Sequence, residues 1–582
     1  MLPKIQFYAN RLRDRLLPRV AELELDTDSS VFTPALLFSL TIVFYVVYML
    51  CMQSAFVLGG EMWAEMATNY FANANGATLA QKLLSTDAGY IPLPQRLIGF
   101  VFSELRLPAS AIPFAYTWTA IFGTAAMIGA FCLRPFRAVV KSDGLRFVSA
   151  IAVLMVVDFE SRTFINFTYL AAFLVAVVTA LALVDKTRDV PQWCWVLPIL
   201  MLSKPAVLAA LPVMLLTAFV SAPRFRKIVV VVVLLCAAQA VQIVVSHAGG
   251  TFAAAHSVSL GERLVASARY FVGFLGAYVG GTHVPVNLFH PMRLGAILLL
   301  GVLLLILRRK AASNALLVVG LALLLFNVLL NCFALPDMWN TRMERLAGQP
   351  VYRHIIVGFE GVLLCVVALC DRFFPRATLN LGIGRLRICI LLFVCWFAGA
   401  GWFSRGTTLS VLPGTPALNN SAWRAMARTV DAGGAVCVPV DPIGWVFGRD
   451  CGLLNSDEVG PTHTYDFGPM LFKDAASVAD VPVPKRSEHH VVSALAVLAK
   501  PANGQVTHVP MTAVLTMVDG TQRILSGDRR LPSGGGLVLL TPTAEIALED
   551  IRDVRIESTA LLQFGFVSDS SPKTPAVLWM GR

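Results

Sequence analysis

The chain has 582 residues, 56% of them hydrophobic and 14% charged, and its mean hydropathy of +0.69 lies far outside the soluble globular range. A formal charge of +11 could suit an anionic partner. Most basic residues of the apolar part, however, fall in short loops between apolar runs, which the positive-inside bias explains without nucleic acid.

Apolar runs near the roughly 20 residues needed to cross a bilayer recur along the chain, so a polytopic α-helical membrane protein with about eleven transmembrane helices is expected. Hydropathy sets three parts: a cytoplasmic N-terminal segment over 1–32, a transmembrane body over 33–403 that includes an outer loop at 59–110, and a soluble α/β or β-rich domain over 404–582. The leader is basic early and acidic late, with no small-residue cleavage site, and reads as amphipathic rather than as a signal peptide.

The first span is expected over 34–57. The loop after it reads GGEMWAEMATNYFANANGATLAQKLLSTDAGYIPLPQRLIGFVFSELRLP. Its apolar residues recur at helix spacing on both sides of Asp87, as at Leu79, Leu83 and Leu84 and then Leu97, Ile98, Val101 and Phe102, which predicts short interfacial helices around an acidic turn. Spans follow over 112–133, 145–157, 167–184, 193–203, 206–221 and 228–246, with a break at Ser203-Lys204-Pro205. Residues 247–293 are ambiguous, with a half-apolar piece at Tyr270–Gly280. The basic runs Arg308–Lys310 and Arg372–Arg387 argue against an extra span there, because one more crossing would place them outside. Four more spans follow, and the tail then shows a helical piece at Asn419–Asp431 and short β-type runs near 435–440, 512–518, 537–540, 561–567 and 576–580.

Carboxylates at outer span ends are the first chemical signal. Glu61 and Glu65 stand i, i+4, a spacing that on a helix sets like charges on one face and requires a cation, an arginine or a proton to offset it. Asp87 occupies the turn, and Asp158 and Glu160 follow the third span. Solvated loop acids are the plain alternative for any one of these; several acids on one membrane face are harder to dismiss. Glu104 has Arg106 beside it as a ready partner and reads as structural. Glu360 lies within the tenth span, either as an arginine's partner or lining a cavity.

The second signal is a set of outward cations that work against the positive-inside bias: Lys204 at the proline break, Arg342, Arg345 and Arg353 in PDMWNTRMERLAGQPVYRH, and Arg96 and Arg162. A phosphate at a membrane surface needs compact and bidentate donors of these kinds. Salt bridges to the neighbouring acids are the alternative, and Lys204 suits it least, because its sequence neighbours include no acid. No Cys/His set has zinc spacing. Cys437 and Cys451, the only cysteines of the tail, flank a turn-rich segment and are expected to form a disulfide in an oxidising compartment.

This layout, with a long acidic outer loop after the first span, further acids after the third and cations at outer span ends, resembles the GT-C superfamily of integral-membrane glycosyltransferases. Bacterial O-antigen-modifying glucosyltransferases and cell-wall arabinosyltransferases are closest in style. The resemblance implies a polyprenyl-phosphate sugar donor, an acceptor glycan or lipid-linked glycan, and a place in the bacterial inner membrane, in cell-envelope polysaccharide biosynthesis. It makes Glu61, Asp87 and Glu65, in that order, the base candidates, with Lys204, Arg342, Arg345, Arg353 and Arg96 as phosphate ligands and Asp158 and Glu160 as secondary acids. The Asp-Asp or Asp-x-Asp pair usual in that superfamily is Glu-x-x-x-Glu here, so the identity of the catalytic acid and the need for a divalent metal stay open. The residues themselves indicate no cofactor. An O-antigen-type polymerase or ligase, or a lipid or solute transporter, is the competing class.

Overall fold

The computed structural model describes residues 2–18, 32–87, 89–185, 187–245, 258–280, 291–334, 354–374, 378–381, 384–401, 418–455, 470–472, 474–485, 489–567 and 576–582. Six helices among them are long and apolar enough to cross a bilayer: Pro34–Met52, Ile112–Cys132, Phe167–Val184, Pro223–Gln242, Pro291–Arg308 and Asn314–Ala334. Other apolar stretches are helical but shorter or more charged, as at Asp143–Val156 and Ile356–Phe373. Contacts divide the chain into two compact units. One is Met1–Met52, Leu83–Leu97 and Trp118–Gly414; the other is Gln53–Lys82, Ile98–Thr117 and Thr415–Arg582.

The first unit is mostly helical, with one short hairpin of strands Thr378–Leu381 and Gly384–Arg387, and glycine sets its closest helix contacts. The ambiguous region holds a 21-residue helix, Leu260–Gly280, longer than its half-apolar piece suggests because Glu262, Arg263 and Arg269 interrupt the hydropathy but not the helix. It packs on Pro291–Arg308 so closely that a Cβ on Gly276 would overlap the carbonyl oxygen of Pro291, and one on Gly295 that of Val272. Gly320 and Gly361 meet in the same way between Asn314–Ala334 and Ile356–Phe373. Small residues let backbones approach where lipid would offer side chains an equally apolar surround. The break at 203–205 is present: helix Leu197–Met201 ends, and Pro205, which lacks an N–H, opens a 3₁₀ turn, Pro205–Ala210, leading into helix Leu211–Ala218.

The second unit is built on antiparallel strands: β1 (Val436–Val440), β2 (Trp445–Arg449), β3 (Val491–Pro501), β4 (Thr507–Met517), β5 (Gln522–Leu531), β6 (Gly536–Pro542), β7 (Ile551–Val567) and β8 (Val577–Gly581). Five of them close on themselves in the order β3-β6-β5-β4-β7, with β7 returning to β3 through Leu562↔Pro501, Gln563↔Lys500 and Phe564↔Ala499, so the tail contains a barrel. Leu495, Val497 and Ala499 of β3 fill its core with Met511, Leu515, Leu525, Val538 and Ile556. The alternate residues Ala494, Ala496 and Leu498 pack outward on the β1–β2 hairpin, where Cys437 and Cys451 are disulfide-bonded.

Two segments of the outer loop belong to this same unit. The indole N–H of Trp423, on helix Trp423–Ala432, donates to the carbonyl of Ala109 at 2.8 Å, and the Ala109 N–H donates to Asp431 at 2.8 Å. Phe71 meets Trp423 and Phe447 edge-on, with ring centroids 5.1 and 5.6 Å apart. Loop and tail thus share one core.

The disulfide gives a direct test. Thiol tagging of the denatured chain without reductant should label the nine free cysteines, and reduction should raise the count to eleven. Eleven tags before reduction would show that the tail matures in a reducing compartment.

Candidate functional site

Each unit gathers part of the predicted set. In the first unit, the turn between helices Leu79–Leu84 and Leu93–Glu104 is closed by a two-residue bridge. The Asp87 N–H donates to the Tyr90 carbonyl at 2.7 Å and the Tyr90 N–H to that of Asp87 at 3.1 Å. Pro94 sits in the first turn of the second helix, where its missing N–H is not needed. The turn meets the proline break through the Leu93 N–H, which donates to the Leu202 carbonyl at 3.1 Å. This brings Lys204 to Asp87. The ammonium donates to the Tyr90 hydroxyl at 2.6 Å and lies 3.6 Å from the nearer Asp87 carboxylate oxygen. It also stands over the rings of Tyr90 and Tyr169, 5.2 and 5.9 Å from their centroids. Lys204 is 4% exposed and the Asp87 side chain 12%.

Three other predicted charges of this unit, Arg96, Arg162 and Asp158, hold backbone. Arg96, buried, donates to the carbonyls of Ser85 at 3.0 Å and Thr86 at 3.4 Å, which fixes the approach to Asp87. Gln95 beside it donates to the Ile165 carbonyl and the Thr168 hydroxyl, next to Tyr169. Arg162 is buried over the Tyr48 ring and donates to the Val157 carbonyl. Asp158 caps the four-residue helix Phe159–Arg162 by accepting the Ser161 N–H, and Glu160 lies within that helix. Glu360 is fully buried in helix Ile356–Phe373. Arg342, Arg345 and Arg353 lie outside the described residues.

In the second unit, Glu61 and Glu65 do not share a helix face. Gly60, at a left-handed φ of +70° and with the Phe114 ring where a Cβ would go, ends helix Ser54–Gly59. Glu61 then lies outside any helix, while half-buried Glu65 stands at the start of the π-helix Met66–Phe71. The like-charge problem raised by their spacing does not arise. Glu61 instead accepts the Ser421 hydroxyl at 2.6 Å and the Arg424 N–H at 3.3 Å. Burial pushes its carboxyl above the usual carboxylate range, with the Ser421 bond and the Arg529 charge opposing that shift. Glu104, likewise, pairs with Lys82 at 2.8 Å rather than with its neighbour Arg106.

Sequence reading missed the groups that hold Glu61. Asp441, 1% exposed, accepts the Asn420 side-chain N–H at 2.9 Å, the Ser421 N–H at 3.0 Å and the Asn420 N–H at 3.2 Å. Its carbonyl accepts the Ala64 N–H. Burial pushes its carboxyl up to about 6 against those donors, and the Glu61 charge adds to the rise. Arg529 of β5 donates to the Ser421 carbonyl at 3.0 Å and that of Leu537 at 2.7 Å. The one available signal was Asp441-Pro442 after an apolar strand, which reads as a turn. Among the described residues no three His, Cys, Asp or Glu side chains assemble as a metal site.

Comparison with protein-family models, with curated proteins and with solved structures gives no match.

The Asp441 environment predicts a pH dependence. Its folded carboxyl holds a proton up to about pH 6 and an unfolded one to about 3.8, so across that window the folded state binds more protons and stability falls as pH rises. Glu61 is raised as well and acts in the same direction. Amide-exchange protection of peptides covering 418–424 should therefore drop from pH 4 to pH 6, and less so in Asp441→Asn. Identical profiles in the two proteins would remove Asp441 as the cause.

Proposed function

We propose that the protein is an integral-membrane glycosyltransferase that moves a sugar from a polyprenyl-phosphate donor to an acceptor glycan or lipid-linked glycan at the outer face of a bacterial inner membrane. In this reading it has about eleven spans, a cytoplasmic N-terminus and a periplasmic tail. The observation that supports it most is the meeting of Asp87 and Lys204, with the ammonium 3.6 Å from the carboxylate between two tyrosine rings. The two residues are far apart in sequence, and the fold sets them side by side in a buried site.

Glycosyl transfer from a lipid phosphate asks for a base and a cation together. The acceptor oxygen attacks the anomeric carbon, the bond from that carbon to phosphate breaks, and polyprenyl phosphate departs with the electron pair. A carboxylate takes the hydroxyl proton, and cations hold the departing phosphate. Without donor, Lys204 donates to Tyr90 and faces Asp87. A donor phosphate would draw the ammonium to its own oxygens and leave the Asp87 carboxylate, which still accepts the Tyr90 hydroxyl at 3.3 Å, the stronger base for the hydroxyl proton. Binding the donor thereby readies the base. Asp87 thus moves ahead of Glu61, because its ion-pair partner is the cation that a donor phosphate would recruit; Glu65 ranks third. Arg342, Arg345 and Arg353 are further phosphate ligands in this reading, while Arg96 positions the loop.

The test uses purified full chain with a polyprenyl-phosphate sugar. Lys204→Ala should weaken donor binding about 10–100-fold, the worth of a charge-assisted hydrogen bond. Asp87→Asn should keep donor binding and lose ~10²–10⁴ in turnover, more than Glu61→Gln. Wild-type turnover in both Asp87→Asn and Lys204→Ala would defeat the proposal.

A further inference from the structure

The second unit contains a cavity of about 440 Å³ that the cluster around Glu61 does not use. That volume falls in the ~300–1,000 Å³ range of small-molecule sites. Phe71, Asn75, Ser103, Arg106, Tyr116 and Asp431 supply its side-chain chemistry. Gly99 keeps it open, since a Cβ there would stand 3.3 Å from the Tyr116 hydroxyl and 3.4 Å from the Cβ of Ala74.

The two charged groups of the lining, Arg106 and Asp431, form no ion pair with one another. Arg106 follows helix Leu93–Glu104 at a φ of +53°, a left-handed conformation that non-glycine residues seldom adopt. The acid beside it in sequence, Glu104, is taken by Lys82, so the guanidinium makes no ion pair among the described residues. Asp431 receives the Ala109 N–H on one carboxylate oxygen at 2.8 Å, and its other oxygen accepts no hydrogen bond among the described residues. Ser103 donates to the Asn75 side-chain oxygen at 3.3 Å, and the Asn75 amide gives one hydrogen to the Phe71 carbonyl at 2.9 Å, which leaves its second hydrogen for a guest. Phe71, held edge-on by Trp423 and Phe447, adds an aromatic wall.

An aromatic wall with a guanidinium, a carboxylate, one amide N–H and the Ser103 hydroxyl gives both donors and acceptors around an apolar face. That is the complement of a sugar ring, which has an apolar C–H face and a rim of hydroxyls. Asp431 opposes an anionic guest such as a phosphate, because its charge offsets that of Arg106. The geometry points to a saccharide-binding subsite between helices Leu93–Glu104 and Trp423–Ala432, which, on the transferase reading above, holds a sugar residue of the acceptor glycan.

Saturation-transfer NMR on the detergent-solubilised full chain tests this directly. The probes are methyl glycosides of neutral hexoses, with glycerol 1-phosphate as the anionic control. Wild type should transfer saturation to a glycoside and not to the phosphate. Arg106→Ala and Asp431→Asn should each reduce the transfer at least fivefold, and Ser103→Trp, which fills the cavity, should abolish it. If Ser103→Trp does not fold, the surface-exposed Arg106→Ala still decides. Equal transfer in Arg106→Ala and wild type, transfer to glycerol phosphate instead, or none to any glycoside would overturn the subsite. The outcomes separate from those of the transferase test: a glycoside signal lost in these variants, in a chain that moves no sugar from a lipid phosphate, keeps the subsite and removes the enzyme.

Discussion

An ammonium taken out of water costs several kcal/mol unless hydrogen bonds and a counter-charge replace its hydration, and Lys204 is 4% exposed. Its replacements are the Tyr90 hydroxyl, the Asp87 carboxylate and the faces of two tyrosines. Each has to be held in place, and much of the local structure around the proline break does so. The Leu93 N–H bonds to the Leu202 carbonyl, Arg96 grips the carbonyls of Ser85 and Thr86, and Gln95 reaches the Ile165 carbonyl and the Thr168 hydroxyl beside Tyr169. Side chains that looked like free outward cations are in part the clamps that let one cation be buried. Arg96 holds the loop so that Lys204 can meet an acid. This division of labour is physically sensible, because a guanidinium bonded to two carbonyls is rigid, whereas an ammonium on four methylenes can change partners.

The second unit solves a related problem with opposite charge. Asp441 is a buried carboxylate whose three N–H donors come from Asn420 and Ser421, at the entry to helix Trp423–Ala432. Its carbonyl takes the Ala64 N–H, so one residue fixes both the start of that helix and the strand-like stretch that carries Glu61. Ser421, set by Asp441, then donates to Glu61. The protonation of Glu61 is thus tied to the tail, since the hydrogen bonds and the Arg529 charge that oppose its desolvation all come from residues after 418. A tail of this kind is more than a domain appended to a helical body. It supplies the surroundings of an acid that the chain introduces some 360 residues earlier.

What was legible in the sequence, and what was not, follows the range of each signal. Local patterns read well. The proline break at 203–205, the helix at 423–432 and the short loop helices around Asp87 all rest on spacing and punctuation within one window. Strand β3 escaped because VVSALAVLAKP is apolar on both faces; with the barrel core on one side and the disulfide hairpin on the other, it shows no alternation. Strand β5 escaped for the reverse reason, since QRILSGDRRL buries little beyond Leu525 and Leu531.

Long-range pairings were invisible in kind. Nothing near Lys204 in sequence announces Asp87, and nothing near Glu61 announces Ser421 or Asp441. The spacing of Glu61 and Glu65 suggested a shared helical face, yet Gly60 stops the helix one residue too early and turns the pair apart. A carboxylate's sequence neighbours state what it would repel if the local element were regular. Only the fold states what it touches, and at both clusters the touching group comes from more than a hundred residues away.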